Sequence, residues 1–266
     1  MLRSFRRSAD HREPCTTHKI LCIFTVIPLA PCERKSALRP SHSAATRFPP
    51  MTYSPPPLAP LDYLYSDPSM IIVNKPHGLL SVPGRGEEKQ DCLLTRVQRD
   101  FPDALTVHRL DMQTSGLLVF ARGPEMHRRL SRQFQDRKVD KLYVAVVIGI
   151  PESKSGEINL PLIVDWPNRP KQMVDFELGR PSLTRYRVVS TAPDGRSSQV
   201  ELEPVTGRSH QLRVHLLSLG HPILGDDLYG GEAEFMADRL QLHARDLAVF
   251  HPLTEERLEF HCPVPF

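Results

Sequence analysis

Long apolar runs are missing from this sequence: no stretch of about 18 residues is free of charged and polar side chains, so no segment is built to cross a bilayer as a helix. Cysteine is sparse and ill-spaced. The five (Cys15, Cys22, Cys32, Cys92, Cys262) are an odd number without a CxxC pair, which supports neither a zinc site nor a disulfide framework and makes a reducing, cytoplasmic setting the expectation. Histidine is plentiful, and His210 with His215 or His221 could suggest a metal, but no HExxH or Cys/His ladder accompanies them, so no metal site is expected. A strong excess of one charge is also absent: the formal net charge is +3, so any contact with nucleic acid must come from a local patch. With 40% hydrophobic and 24% charged residues the composition is that of a globular protein, which excludes a mostly disordered, collagen-like or coiled-coil chain. At 266 residues the chain can bury one substantial core, or two small lobes sharing a cleft.

The charge is unevenly spread. Residues 1–50 hold nine Lys/Arg against three acids, leaving 25 basic and 28 acidic groups, a net of −3, on residues 51–266. The first 60 residues also hold ten of the 26 prolines, including Pro55-Pro56-Pro57, and read as a disordered leader. Their one apolar run, residues 20–30, has the length of a signal-peptide core, yet Pro28 breaks it and Asp10 and Glu13 precede it. Translation starting at Met51 is the more economical reading, with residues 61–266 forming one catalytic domain.

From residue 70 the texture changes. Short runs at 70–74, 117–121, 142–148, 184–189 and 198–203 read as strands, the last two alternating as half-buried strands do, and residues 247–250 with 257–260 read as a closing hairpin. Helices are predicted at 91–101, at 124–137 with proline in the first turn, and at 209–219, where Leu212, Leu216 and Leu219 share a face and Gly220 stands at the C-terminal cap. Strands without a regular βαβ alternation predict an α+β fold with a mainly antiparallel sheet.

The densest chemistry lies in VHRLDMQTSG, residues 107–116. An acid, Asp111, two positions from Arg109 on a segment closed by Thr114, Ser115 and Gly116 suits a loop presenting a carboxylate at a cleft. Such an aspartate is either a turn residue or a reactive group; held ionised by a cation, it can be a nucleophile or a general base.

HRLDMQTSGL resembles the HRLDxxTSGL signature of the RluA family of pseudouridine synthases. The resemblance continues in order through NKPHGLLSVPGR at 74–85, KLYVAVVIG at 141–149, TGRSHQLRVHLLSLGHPILGD at 206–226 and LQLHA at 240–244, covering about residues 70–266. DWPNRPKQ at 165–172 and VPGR at 82–85 look like the subgroup of that family acting on both large-subunit rRNA and tRNA. Longer members carry an N-terminal S4 RNA-binding domain, which the proline-dense leader does not resemble. The resemblance implies the pseudouridine synthase fold, a mainly antiparallel mixed sheet with flanking helices and a central RNA-binding cleft. It also implies an isomerase that needs no cofactor, since breaking the N-glycosidic bond, turning the uracil and rejoining it through carbon involves no redox step.

By that resemblance Asp111 is the nucleophile, Tyr143 stacks on the flipped uracil and relays a proton, and Arg213 pairs with Asp111 to keep it ionised. Arg109 matches the arginine that fills the hole left by the flipped nucleotide, and Leu242 an aliphatic contact to the base or a plain core leucine. His108, His210, His215 and His243 fall in motif positions and read as hydrogen-bonded scaffolding, His210 at the substrate side. RNA contact is assigned to Arg85, Arg169, Lys171, Arg208 and the helical Arg128, Arg129 and Arg132, while Trp166, the one tryptophan, either stacks on a base or anchors its loop in the core. The expected partner is RNA, rRNA or tRNA, with no membrane, and the expected assembly a monomer. Two rival classes weaken on the residues themselves. An RNA chaperone that had lost the chemistry would lack Asp111, Tyr143 or Arg213, and a nucleoside or glycosyl hydrolase needs a second carboxylate that HRLD does not place.

Overall fold

The computed structural model describes residues 53–266; the expectations for residues 1–52, including the start at Met51, lie outside the described residues. In chain order the elements are β1 (Asp62–Ser66), β2 (Met70–Lys75), α1 (Leu93–Asp100), β3 (Ala104–Thr106), β4 (Ser115–Arg122), α2 (Gly123–Gln135), β5 (Asp140–Ile148), β6 (Ser155–Asn159), β7 (Leu162–Val164), β8 (Gln172–Val174), β9 (Leu183–Thr191), β10 (Ser197–Pro204), α3 (Gln211–Ser218), β11 (Leu242–Phe250) and β12 (Arg257–His261). One sheet runs β1-β2-β4-β11-β5-β10-β9-β6, with β3 added to β4 and β12 to β11, while β7 and β8 form a separate hairpin. Every pairing in the large sheet is antiparallel except β4 with β11, so the fold is α+β on a mixed, mainly antiparallel sheet, as expected.

Side-chain parity explains the central strands. In β2, Met70 and Ile72 pack on one face with Leu117, Val119 and Ala121 of β4 and Leu130 of α2, while Ile71 and Val73 pack on the other with Leu118, Phe120 and Leu93 and Val97 of α1. Both faces are covered, which is why these strands read as unbroken apolar runs rather than alternating ones. A third cluster joins Ala145, Val147, Val200 and Leu202 to Leu212 and Leu216 of α3.

α2 starts with its proline in the first turn as predicted, and Gly220 closes α3 at φ +82°. Leu219 falls past the end of α3 and is partly exposed, so the buried stripe is Leu212 and Leu216 alone. The leader reading, 1–60, also needs correction at its end. Tyr53 is buried, its hydroxyl donating to Asp91 O (2.9 Å) and accepting from Leu80 N (3.2 Å), while Arg96 of α1 donates to Pro56 O (2.6 Å) and Pro57 O (3.3 Å). Residues 53–57 therefore dock on the rest of the domain, because a buried arginine takes their carbonyls and the Tyr53 phenol finds backbone partners there.

Candidate active site

Residues 107–114 carry the chain from β3 into β4, and Asp111 opens a turn there, its carbonyl accepting from Thr114 N (3.1 Å). The loop after β2 holds this turn from the other side. Gly78 N donates to Met112 O (3.0 Å), Ser81 Oγ donates to Leu110 O (2.6 Å) and accepts from Leu110 N (3.1 Å), and His77 Nδ1 donates to Gln113 O (2.8 Å). Lys75, fully buried, sends its ammonium to the carbonyls of Pro76 (2.9 Å), Leu79 (2.6 Å) and Met112 (2.9 Å). Burial pushes this amine down to about 7, with the charge of Asp111 opposing the shift and Arg239 adding to it. The two motifs NKPHGLLS and HRLDMQTSG are thus one structure. Gly116 completes it: at φ +112° it lies so close to β11 that a Cβ would stand 2.3 Å from Ala244 O, so only glycine lets the strand start here.

Because β11 lies between β4 and β5, the loop before β4, the first residue of β11 and the middle of β5 stand side by side. They form a cleft of about 580 Å³ lined by Asp111, Tyr143, Leu242, His210 and Arg213, with Arg109 and Arg208 on its rim. Arg109 spans the opening, its Nη2 donating to Ser209 Oγ (3.2 Å). Burial, then the charge of Asp111, raises the phenol of Tyr143, which therefore stays neutral at physiological pH.

Arg213 departs from expectation. Its buried guanidinium donates to both carboxylate oxygens of Asp226 (2.8 and 2.5 Å) and to Asp227 Oδ1 (2.9 Å), so it is not the direct partner of Asp111. Asp226 is itself fully buried and fixed by Leu228 N and Tyr229 N, which makes it the better match for the planar guanidinium fork. Burial would lower the Arg213 guanidinium; the hydrogen bonds and charge of Asp226, with smaller help from Asp111 and Asp227, outweigh that and raise it. The basic side chain that approaches the Asp111 carboxylate among the described residues is instead His210, Nε2 to Oδ1 at 3.9 Å. His210 caps α3 in the left-handed region (φ 53°, ψ 16°), a conformation costing about 1–3 kcal/mol that the surrounding contacts must impose.

The family model described as RNA pseudouridylate synthase matches residues 69–218. The dual-specificity RNA pseudouridine synthase RluA of Escherichia coli strain K12 is 53% identical over 215 residues, covering 80% of this chain and 98% of that protein. Its Vibrio cholerae counterpart is 55% identical over 201 residues, covering 75% and 81%. The chain belongs to the RNA pseudouridine synthases. Among solved structures, human RNA pseudouridylate synthase domain containing 1 superposes with a TM-score of 0.66 at 30% identity, covering 80% of this chain and 87% of that one. Human RNA pseudouridylate synthase domain containing 4 gives 0.60 at 27%, covering 77% and 88%. The synthase is an isomerase that converts uridine to pseudouridine in RNA, which removes the chaperone and hydrolase readings.

Not all of the predicted site residues of the synthase meet. Asp111, Tyr143, Arg213, Leu242, His210, Arg109 and Arg208 share the cleft; Arg85, Trp166, Arg169 and Lys171 do not line it. Trp166 and Arg169 ride on the β7–β8 hairpin, the guanidinium 3.9 Å from the indole centre, and with 65% of its surface exposed Trp166 does not anchor the loop in the core. Arg128 and Arg129 are both engaged by Glu125, and Arg129 also by Pro252 O, which leaves Arg132 of that helical set exposed without a carboxylate partner among the described residues. Of the histidines, His108 accepts from Val119 N (3.1 Å) and His215 bridges Thr184 and Leu160, as scaffolding does. Four groups escaped the sequence reading: Lys75, Gln211, Asp226 and Tyr229. Gln211 accepts from Thr206 Oγ1 (2.7 Å) and Arg208 N (3.0 Å) and so shapes the rim that carries Arg208. Lys75, Gln211 and Asp226 could have been flagged only by their membership of the quoted motifs, and Tyr229 falls just beyond the motif that ends at residue 226, with its hydroxyl on partners 57 and 19 residues away.

Among the described residues no group of three or more His, Cys, Asp or Glu is placed to hold a metal, and no helix is long and apolar enough to cross a membrane.

Proposed function

We propose that Asp111 is the nucleophile of this synthase and that its targets are short RNA stem-loops, an rRNA hairpin and a tRNA anticodon arm. The observation that carries the reading is the convergence of Asp111, Tyr143 and Leu242 from three neighbouring strands or their approaches in one cleft with a basic rim. A uridine swung out of its stack enters between the Tyr143 ring and Leu242, and Arg109, spanning the opening, fills the space it leaves. The Asp111 carboxylate forms a bond to the ribose or the base and the N-glycosidic bond breaks; the uracil turns, a carbon–carbon bond replaces the broken one, and the bond to Asp111 breaks, which restores the carboxylate. The proton lost from that ring carbon returns to the freed ring nitrogen, so atoms and electrons balance without a cofactor. Tyr143, held neutral, is the phenol beside the turning ring that can pass this proton.

Arg213 serves Asp111 indirectly: locked to Asp226 and Asp227, it holds α3, and with it His210, against the nucleophile. Phosphate contact falls to Arg85, Arg169, Lys171 and Arg208, with Trp166 stacking on an unpaired base. Substrate choice rests on the likeness to RluA, whose name in Escherichia coli and Vibrio cholerae carries the dual specificity, and on the compact footprint that the described residues offer, one large sheet with a hairpin beside it. Buried free thiols at Cys92 and Cys262 fit the cytoplasm.

The test uses isolated anticodon stem-loops and rRNA hairpins with tritium-release assays. The wild-type protein modifies both at comparable rates, with affinity falling steeply as salt rises. Asp111→Asn abolishes turnover on both while RNA affinity stays within about tenfold, about 1.4 kcal/mol. Turnover by Asp111→Asn above about a percent of wild type removes Asp111 from its role. Two inert hairpins beside a modified intact ribosomal RNA would overturn the stem-loop targets instead.

A further inference from the structure

Tyr229 lies in the turn after Asp226, is 8% exposed, and sits between the β7–β8 hairpin and the start of α3. Its hydroxyl accepts from Gln172 N, the first residue of β8, at 2.7 Å, and stands 2.7 Å from His210 Nδ1. A buried phenol needs an acceptor for its own proton. An amide N–H cannot accept, so among the described residues that acceptor is His210 Nδ1. A neutral imidazole with an unprotonated Nδ1 carries its hydrogen on Nε2, and Nε2 is the atom 3.9 Å from Asp111 Oδ1.

We propose that Tyr229 is a positioning residue that fixes His210 as the Nε2–H tautomer and aims this donor at the Asp111 carboxylate, tying the seat of the β7–β8 hairpin to the nucleophile. The protonation states fit: burial lowers the His210 imidazole and raises the Tyr229 phenol to about 12, so the pair is neutral with the phenol protonated. The left-handed backbone of His210 turns its ring toward both partners at once, with the Tyr229 ring edge-on at 5.6 Å between centroids. Lys171 Nζ lies over the Tyr229 ring, 5.9 Å from its centroid. A phosphate drawn to Lys171 and Arg169 therefore pulls on the strand whose amide holds Tyr229, and RNA seated on the hairpin is felt at the carboxylate. At 3.9 Å the donor is one small closure away from a hydrogen bond, which would hold the carboxylate ionised and oriented as the nucleotide excludes water.

The inference rests on Asp111 being the nucleophile, and its test separates the two. In the free protein labelled with ¹⁵N-histidine, wild type shows His210 as the Nε2–H tautomer, and Tyr229→Phe, which removes the donor to Nδ1, shifts it toward the Nδ1–H form. That readout does not depend on Asp111. In turnover, Tyr229→Phe lowers kcat about tenfold, with KM for a stem-loop unchanged within about twofold. His210→Gln, which keeps an N–H donor at similar reach, retains more activity than His210→Ala, and adding Tyr229→Phe to His210→Ala costs nothing further. An unchanged tautomer in Tyr229→Phe overturns the proposal, as does a loss confined to KM or effects that add independently in the double variant.

Discussion

A lysine ammonium with no exposed surface would be hard to keep charged were it not for the three carbonyls around Lys75, which match its three N–H donors one for one. Burial and those carbonyls pull in opposite directions, and the balance is measurable. With the folded-state amine pushed down to about 7 and the unfolded one near 10.5, the unfolded chain binds the extra proton between these values, so folding gains stability as pH rises through that window and is insensitive to Lys75 below it. The stability difference between wild type and Lys75→Met should therefore grow with pH from about 7 upward, by at most about 1.4 kcal/mol per unit, when urea unfolding is followed at a series of pH values. A flat difference would mean that the carbonyl cage overrides burial and keeps the ammonium charged. The same variant leaves Met112 O with one donor fewer beside Asp111, so its turnover should fall even at pH 6. Lys75 also marks where reading a sequence stops. Asp111, Tyr143 and Leu242 are legible because their motifs carry their chemistry in the residue type. The work of Lys75 and Asp226 lies in partners: Met112 lies 37 residues from Lys75, and Asp226 lies a helix and a turn beyond Arg213. No local pattern encodes such a pairing, which is why Arg213 points to Asp111 in the sequence and to Asp226 in the fold.

Strand length decides which elements can be read. β2, β4, β5, β9, β10 and the three helices are long enough for an apolar run or a period to show, and their predicted bounds fall within a few residues of the real ones. β3, β7 and β8 are three residues each, too short for any period, and β6 is a five-residue edge strand with a glycine. The β7–β8 hairpin is consequently invisible as an element, although its loop, DWPNRPKQ, is conspicuous as composition. The hairpin stands off the large sheet and carries Trp166, Met173 and Phe176 exposed, with Arg169 against the indole. An exposed indole contributes little to folding, so Trp166→Ala should leave the denaturation midpoint nearly unchanged, within about 0.5 kcal/mol. If the ring stacks on an RNA base, the same change weakens stem-loop binding by about 1–3 kcal/mol, read by fluorescence titration, with little effect on the salt slope. Arg169→Ala should instead reduce that slope as one phosphate contact is lost. A Trp166→Ala protein that is less stable and binds RNA normally would make the tryptophan a structural residue of the hairpin.

Strand order belongs to the whole molecule and cannot be read from any segment. β11, late in the chain, inserts between β4 and β5, and its one parallel pairing, His243 and Ala244 against Ser115 and Gly116, sets Leu242 beside the loop that carries Asp111. The other global feature is the arm at residues 53–57, hidden in the sequence by its resemblance to the proline-rich stretch before it. Its Tyr53 holds Leu80 N and Asp91 O, and Leu80 precedes Ser81, which clamps Leu110 next to the nucleophile. Arg96, buried beneath, would lose the carbonyls of Pro56 and Pro57 and keep only Asp91. We therefore expect two shortened chains to behave differently. A chain begun at Met51 keeps every one of these contacts and should match the full chain in stability and turnover. A chain begun at Leu58 takes the partners from a half-buried amide, a half-buried carbonyl and part of a buried guanidinium, and should unfold at lower urea. Because the loosened loop is the one that carries Ser81 against Leu110, kcat should fall more than the affinity for RNA. Equal behaviour of the two chains would show that the arm is passive; a loss already present in the chain begun at Met51 would show that residues 1–50 belong to the working enzyme.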